Sequence, residues 1–332
     1  MQLKSFDEFI TENTHSINRK IQFIKVDPVF SSTDNKTMKK LTEDARDRFY
    51  EIFLQKDYKN MSSLTDKMDL NRPMLVYAGA QNKGTEKFVM EVYEKNPNMV
   101  YNIPKQMRKT GSKVDFHKIF EGEDFMPKTV FQLDETEGLS WPIIAKPSEG
   151  HSGIGIEKFK SFDDLKSSKN KFDLYSECID FDREFRVMCM KDKPLIIYER
   201  QLIKEDDRSI DTKKPNEDVS FVYIDQDMKK LPFMKGLKTI ITEFMKRVPL
   251  AVYSLDFFTD KKSGKLMLIE ANSCSGLGSN SLVHVYEAIY EDFYDEKPLE
   301  TDRKFIKSVK EEYRKATADY YPKEYKNSLF PK

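Results

Sequence analysis

Two apolar runs in the last third of the chain, residues 251–258 and 265–271, each carry a carboxylate where a buried strand would be expected to have none. They flank Asp260-Lys261-Lys262-Ser263-Gly264, whose Asp, Ser and Gly are turn formers, so the pair is expected to fold as a hairpin. Side chains alternate between the faces of a strand, which puts Glu270 and Asn272 on one side. A turn near Ser263 sets Asp256 almost opposite Glu270. Two carboxylates and an amide oxygen then converge among Leu255, Phe257, Ile269 and Ala271, a hard, all-oxygen set suited to Mg²⁺ bridging phosphates. A polar strand face turned to water accounts for the same residues, but carboxylates buried without a cation or partner are costly.

A second constraint lies at residues 143–156. An apolar strand ends in Lys146-Pro147, passes through a loop holding Gly150, Ser152, Gly153 and Gly155, and resumes as a strand. Glycines let backbone N–H groups approach a phosphate closely, and Lys146 adds positive charge beside them. A strand follows the loop where a P-loop or Rossmann unit would have a helix, which excludes both. An ordinary hairpin with a Gly-rich turn is the plain alternative. A third segment, Leu174-Tyr175-Ser176-Glu177-Cys178-Ile179, leads by a short turn into Asp182-Arg183-Glu184-Phe185-Arg186-Val187. Such a crossing between strands presents backbone groups and two acids, Glu177 and Glu184, to an adenine edge and ribose hydroxyls. A charged face on a strand pair is the plain alternative here.

The rest of the chain sets the frame. Its 332 residues are too many for one small core and suit two or three packed lobes. With 39% hydrophobic and 12% aromatic residues, a folded protein is expected. Its 56 basic residues balance 56 acidic ones, so nothing in the net charge points to nucleic acid or an anionic membrane. Cys178, Cys189 and Cys274 form no metal-ligand spacing and no even-numbered framework, which suggests a reducing, cytoplasmic setting. No apolar stretch nears the roughly 20 residues of a membrane helix, and no signal peptide opens the chain. Residues 1–70 have helical apolar spacing, no Gly and one Pro, and read as a helical extension. Residues 74–101 read strand, helix, strand, a small parallel unit. The expected divisions are therefore 1–70 helical extension, 71–125 small α/β domain, 126–180 and 181–332.

Taken in order, these segments resemble the ATP-grasp superfamily, over residues 74–282. Its pattern is a Lys-bearing helix, a Lys-Pro strand with a Gly-rich loop, a hinge acid followed by a ribose-binding acid, and then a distant Asp before Glu-x-Asn. Here these are Ser112-Lys113, Ala145-Lys146-Pro147 with residues 150–155, Glu177 to Glu184, and Asp256 before Glu270-Ala271-Asn272. The resemblance implies an α+β ATP-grasp fold, two α+β lobes clasping ATP: residues 126–180 would be the lid and 181–332 the catalytic subdomain with a helical tail. It implies that Lys113 and Lys146 hold phosphate oxygens while the loop of Gly150, Ser152, Gly153 and Gly155 closes over the triphosphate. Glu177, Cys178 and Ile179 would line the adenine pocket and Glu184 take the ribose. Asp256, Glu270 and Asn272 would hold one or two Mg²⁺, with Mn²⁺ as a substitute.

Within the superfamily, the run Glu270-Ala271-Asn272-Ser273 through Gly276 to Ser279-Asn280-Ser281-Leu282-Val283 is similar to D-alanine–D-alanine ligases. That likeness implies an oxyanion donor near Gly276 and a substrate carboxylate on Ser281. Those ligases carry Arg two residues before the metal Asp, where this chain has Ser254, and Pro where it has Ser275. The strand with Glu184 and Arg186, and the later Arg200, are instead similar to ribosomal-protein glutamate ligases and glutathione synthetases, where such arginines contact phosphate or acyl substrate. The expected activity is ligation of a small-molecule or peptide carboxylate to an amine or thiol through an acyl phosphate. A phosphotransferase on the same fold and a non-catalytic ATP-binding virion component are the alternatives. Met1-Gln2-Leu3-Lys4-Ser5-Phe6-Asp7-Glu8-Phe9-Ile10-Thr11-Glu12 is also similar to amino-terminal segments of tailed-phage proteins, implying a host-cytoplasm or virion-head location. An amphipathic helix accounts equally for these residues.

Overall fold

The computed structural model describes residues 19–25, 36–54, 69, 71–77, 83–149, 155–202, 219–224 and 233–317. The phage-like opening lies outside the described residues. The chain divides into two compact units. One gathers the amino-terminal part through Lys105 with Leu250–Val252 and Cys274–Ala316; the other gathers Gln106–Pro249 and Tyr253–Ser273.

The first unit is built on a parallel sheet. Its strands are β1 (Ile21–Lys25), β2 (Tyr50–Leu54), β3 (Met74–Tyr77) and β4 (Val100–Tyr101), in the order β2-β1-β3-β4. Helix α1 (Lys36–Phe49) connects β1 to β2, and α2 (Lys83–Lys95) connects β3 to β4. The expected parallel unit at residues 74–101 is present, but the helical reading of residues 1–70 needs correction. Ile21, Phe23 and Ile24, and Tyr50, Ile52 and Phe53, are β-branched or aromatic and pair as strands. The apolar spacing seen across residues 41–54 belongs to a helix that stops at Phe49 and a strand that starts at Tyr50.

Two carboxyl-side helices, α7 (Ser279–Tyr294) and α8 (Glu300–Thr317), group with this sheet. Phe49 stacks on Tyr286 at 4.1 Å, the Tyr50 hydroxyl donates to the Leu282 carbonyl (3.0 Å), and Arg48 meets Asp302 (2.9 Å). Asn102, in a left-handed conformation (φ 64°), accepts from the Ala251 and Val252 amides and donates to the Val252 carbonyl.

The second unit holds two further sheets. One has β5 (Thr129–Val130), β6 (Ile143–Lys146), β7 (Glu157–Phe159) and β8 (Leu174–Glu177), antiparallel in the order β5-β8-β6-β7. Its core is Leu139, Ile143, Ala145, Phe159, Leu165 and Tyr175, with Leu165 supplied by the short helix α5 (Phe162–Ser167), capped by Ser161. The other has β9 (Phe181–Met190), β10 (Lys193–Leu202), β11 (Val219–Ile224), β12 (Val252–Asp260) and β13 (Leu266–Asn272), in the order β11-β10-β9-β12-β13. Helices α3 (Pro104–Gly111) and α4 (Lys113–Ile119) precede the sheets; α6 (Met234–Arg247) leads towards β12. Leu237, Ile240, Ile241 and Phe244 form the buried stripe of α6, and Phe244 stacks on both Phe120 and Tyr253. Among the described residues, no helix is long and apolar enough to cross a membrane.

Candidate active site

The hairpin of β12 and β13 forms in the expected register. Asp256 pairs directly with Glu270, and Ser254 with Asn272. Immediately beyond, Phe257 pairs with Leu268, leaving Ile269 as an extra residue. A bulge of this kind bends the strand and re-aims neighbouring side chains; here it falls beside the two carboxylates. Asp256 accepts two charge-assisted hydrogen bonds from Arg186 on the adjacent β9, at 2.7 and 2.8 Å, and a longer one from the Asn272 amide, at 3.4 Å. Asp256 in turn raises the Arg186 guanidinium pKa, against the opposing effect of burial.

Glu270 is the node of the site. Burial raises its pKa first and the facing Asp256 second, while Lys113, Lys146 and Arg186 pull it back down. Lys146 ends β6 and is only 8% exposed; burial lowers its pKa to about 8, with Lys113 acting in the same direction and Glu270 against it. Lys113 opens α4, whose first turn is fixed by the Ser112 hydroxyl accepting from the Asp115 amide (3.1 Å). The Lys113 amide donates to the Ser148 carbonyl (2.9 Å), and the Ser112 and Ser148 hydroxyls lie 3.1 Å apart. Asp173 completes the anchor: its carboxylate accepts from the Ser148 amide (2.7 Å), and its own amide donates to the Lys146 carbonyl (2.9 Å). The root of the Gly-rich loop is thus tied to the start of the Lys113 helix.

Of that loop, Gly150, Ser152 and Gly153 lie outside the described residues. Gly155 is described. Its φ of +77° is one that side chains rarely adopt, and a Cβ there would sit 3.2 Å from the Pro147 ring, so the far end of the loop requires glycine.

On the hinge side, one Glu177 carboxylate oxygen accepts from the Ser140 amide (2.9 Å), so this acid also braces the chain before β6. The Cys178 amide donates to the Pro142 carbonyl (3.0 Å); Cys178 and Ile179 are half-buried. Glu184 lies two residues before Arg186 on β9, raises its pKa, and pairs in register with Arg200 on β10. The alternate face of β9 carries an unrelated pair, Arg183 forked onto the buried Glu199 at 2.7 and 2.5 Å. Gly276 and Ser281 belong to the other unit: Gly276 lies between β13 and α7, and Ser281 is buried in the first turn of α7.

Sequence reasoning missed His117. It sits one helical turn after Lys113, 3% exposed, and burial followed by Lys146 and Lys113 pushes its pKa down to about 3. Its Nδ1 lies 3.2 Å from the Thr129 hydroxyl, which reaches the Pro127 carbonyl (2.9 Å) and the Ser176 hydroxyl (2.8 Å). The spacing of four from Lys113 was the available signal.

Among the described residues, no group of three or more His, Cys, Asp or Glu gathers to hold a metal. The donor set remains two carboxylates and one amide. It fits a divalent cation because the half-buried Glu270 lies directly opposite a second acid, an arrangement that added positive charge relieves.

The family model described as D-ala D-ala ligase C-terminus matches residues 107–289, more than half of the chain. The chain belongs to this family. Among solved structures, D-alanine–D-alanine ligase from Bacillus anthracis superimposes with a TM-score of 0.54 at 16% identity, covering 88% of this chain and 99% of that one. The ATP-grasp ligase PsnB, complexed with a minimal precursor, gives 0.54 at 14% identity over 82% of this chain and 98% of that one. N5-carboxyaminoimidazole ribonucleotide synthetase from Thermotoga maritima gives 0.52 at 12% identity over 77% of this chain and 68% of that one. No curated protein matches the chain by sequence. At these identities the structural likenesses establish the fold, which is ATP-grasp, as the sequence resemblance implied.

Proposed function

We propose that this member of the D-ala D-ala ligase C-terminus family is an ATP- and Mg²⁺-dependent ligase that joins a carboxylate to an amine or thiol and releases ADP and phosphate. The observation that carries the reading is the electrostatic cluster around Glu270. Lys113, Lys146, Arg186 and Asp256 all act on this one half-buried carboxylate, though they come from four different elements. Positive groups and paired acids at one point suit a polyphosphate with its cation.

Lys146 and Lys113 would neutralise phosphate oxygens, and the loop ending at Gly155 would keep water from the reacting group. Asp256, Glu270 and Asn272 would hold Mg²⁺, whose charge offsets that of the phosphates. Arg186, with Arg200, would stabilise the charge on the transferring phosphoryl group. The substrate carboxylate would take the γ-phosphoryl group; attack by the amine on that acyl phosphate then releases phosphate. Glu177, Cys178 and Ile179 are assigned to the adenine and Glu184 to the ribose. Gly276 and Ser281 are assigned to the oxyanion and the second substrate's carboxylate.

The test is an amine-dependent ADP-release assay over amino acids and short peptides, with product mass measured. An amide product, lost in Glu270→Ala, supports ligation. A phosphorylated product would overturn ligation and leave ATP use standing, and full turnover by Glu270→Ala would overturn the metal assignment.

A further inference from the structure

The β12–β13 hairpin has two unlike faces. Leu255, Phe257, Leu268 and Ala271 are at most 1% exposed and turn into the core of the second unit. Asp256, Glu270 and Asn272 are half-buried and share the other face, and strand alternation puts Ser254 with them. Ser254 is 0% exposed all the same. Among the described residues its hydroxyl has no hydrogen-bond partner. An unpaired buried hydroxyl opposes folding, and in native proteins such a group marks a functional partner or a bound water or ion.

The neighbours on β13 indicate what that partner is. Asn272 stands directly opposite Ser254, a placement that brings side chains within about 5 Å at Cβ. Asp256 is the diagonal neighbour of Asn272. The Asn272 amide nitrogen donates to it at 3.4 Å, longer than such bonds usually are. Among the described residues that is the only hydrogen bond of the Asn272 side chain. In this arrangement the amide nitrogen, not Oδ1, faces the acids. To offer Oδ1 to a cation shared with Asp256 and Glu270, the amide has to turn its nitrogen elsewhere. The acceptor directly across the hairpin is the Ser254 hydroxyl.

We infer that Ser254 is a positioning residue for the cation site: its hydroxyl accepts from Asn272 Nδ2 when Oδ1 turns to Mg²⁺, which fixes the amide in its ligating orientation. The inference rests on the metal assignment made above and adds to it a residue that touches neither cation nor nucleotide. Every group in it belongs to the second unit. It also accounts for the buried hydroxyl, whose bond belongs to the loaded site.

The experiment uses the full chain and Mn²⁺ as the probe, counted by electron paramagnetic resonance. ADP is supplied below the protein concentration and no acyl or amine substrate is present, so nothing turns over. Ser254→Ala is expected to weaken Mn²⁺ binding about tenfold, as the loss of a group that orients a metal ligand does. Its melting temperature in EDTA is expected to equal or exceed that of wild type, because the hydroxyl removed has no bond to lose. A packing role would give the reverse, a lower melting temperature with Mn²⁺ affinity unchanged. A Ser254→Ala protein that melts clearly lower in EDTA, or does not fold, overturns the inference, and so does one that binds Mn²⁺ as tightly as wild type. Asn272→Asp gives an independent check, since it has no N–H to place. In that background Ser254→Ala should leave Mn²⁺ affinity unchanged, and a tenfold loss there would also overturn the inference. If Glu270→Ala loses Mn²⁺ and Ser254→Ala does not, the inference fails and the metal assignment stands. If wild type takes up no Mn²⁺, or Glu270→Ala takes it up as tightly, both fail.

Discussion

Arg186 and Asp256 lie 70 residues apart in sequence on adjacent strands and are joined by two parallel hydrogen bonds, one to each carboxylate oxygen. A guanidinium fork fits a carboxylate in a way that an ammonium cannot. The pair orients one of the two acids proposed to hold Mg²⁺. Arg186→Ala should lower folding stability by about 1–3 kcal/mol, because Asp256 stays largely buried without its partner. Arg186→Lys should recover only part of that. Urea denaturation measures both, and an unchanged midpoint in Arg186→Ala would contradict the pairing.

Glu270 should show the opposite balance. Burial and the facing Asp256 raise its pKa, so in the metal-free protein its charge opposes folding. Glu270→Gln keeps the shape and removes the repulsion. Its metal-free stability is expected to equal or exceed that of wild type by up to about 1 kcal/mol, while ADP formation falls about 100-fold or more. Thermal melting without metal, run beside the ADP assay, reads both. A large loss of stability would show that Glu270 serves the fold.

Lys146 gives the site a pH limit. Burial lowers its pKa to about 8, so in the free protein it is charged below that pH and loses its proton above it, well before an ordinary lysine would. ATP affinity should therefore weaken from pH 8 upward, towards about tenfold per pH unit. Lys146→Arg, which stays protonated, should bind ATP with little pH dependence over that range. Titration calorimetry between pH 7 and 9.5 is the check, and a flat wild-type profile would rule out a role for the Lys146 charge.

His117 predicts acid sensitivity. Its folded pKa of about 3 lies below the ordinary value of 6.5, so between those values the unfolded chain binds a proton that the folded chain refuses. Stability is whole above pH 6.5 and is lost as pH falls toward 3, at up to about 1.4 kcal/mol per pH unit from this group. His284, buried and lowered in the same way with Lys310 nearby, adds a parallel loss. His117→Asn keeps a hydrogen-bonding group beside Thr129 and cannot take up the proton. Its stability difference between pH 7 and pH 5 should be smaller than that of wild type, and an equal difference would refute the assignment.

The local parts of this site were legible in the sequence. The turn residues at 260–264 and the alternation of β13 give the Asp256–Glu270 pairing, and Ser112 before Lys113 gives the start of α4. The order of the Lys, Gly, Glu, Asp and Glu-x-Asn segments gives the fold family. Other features were not legible. Residues 41–54 hide a helix-to-strand change inside one apolar pattern. Glu177 read as an adenine-pocket acid, and the fold also uses it to hold the Ser140 amide.

The sequence by itself determined the hairpin with its facing acids and the lysine at the root of the loop. Each depends on residues close together in the chain, where alternation and turn chemistry fix the outcome. Only the tertiary structure decided which cation Asp256 would meet, how far Lys146 and His117 would shift from their ordinary pKa values, and that Tyr77 would hold the Ser275 carbonyl. Those depend on burial and on partners as far as 70 and 198 residues away. Desolvation and direction are properties of packed elements, and no local pattern encodes them.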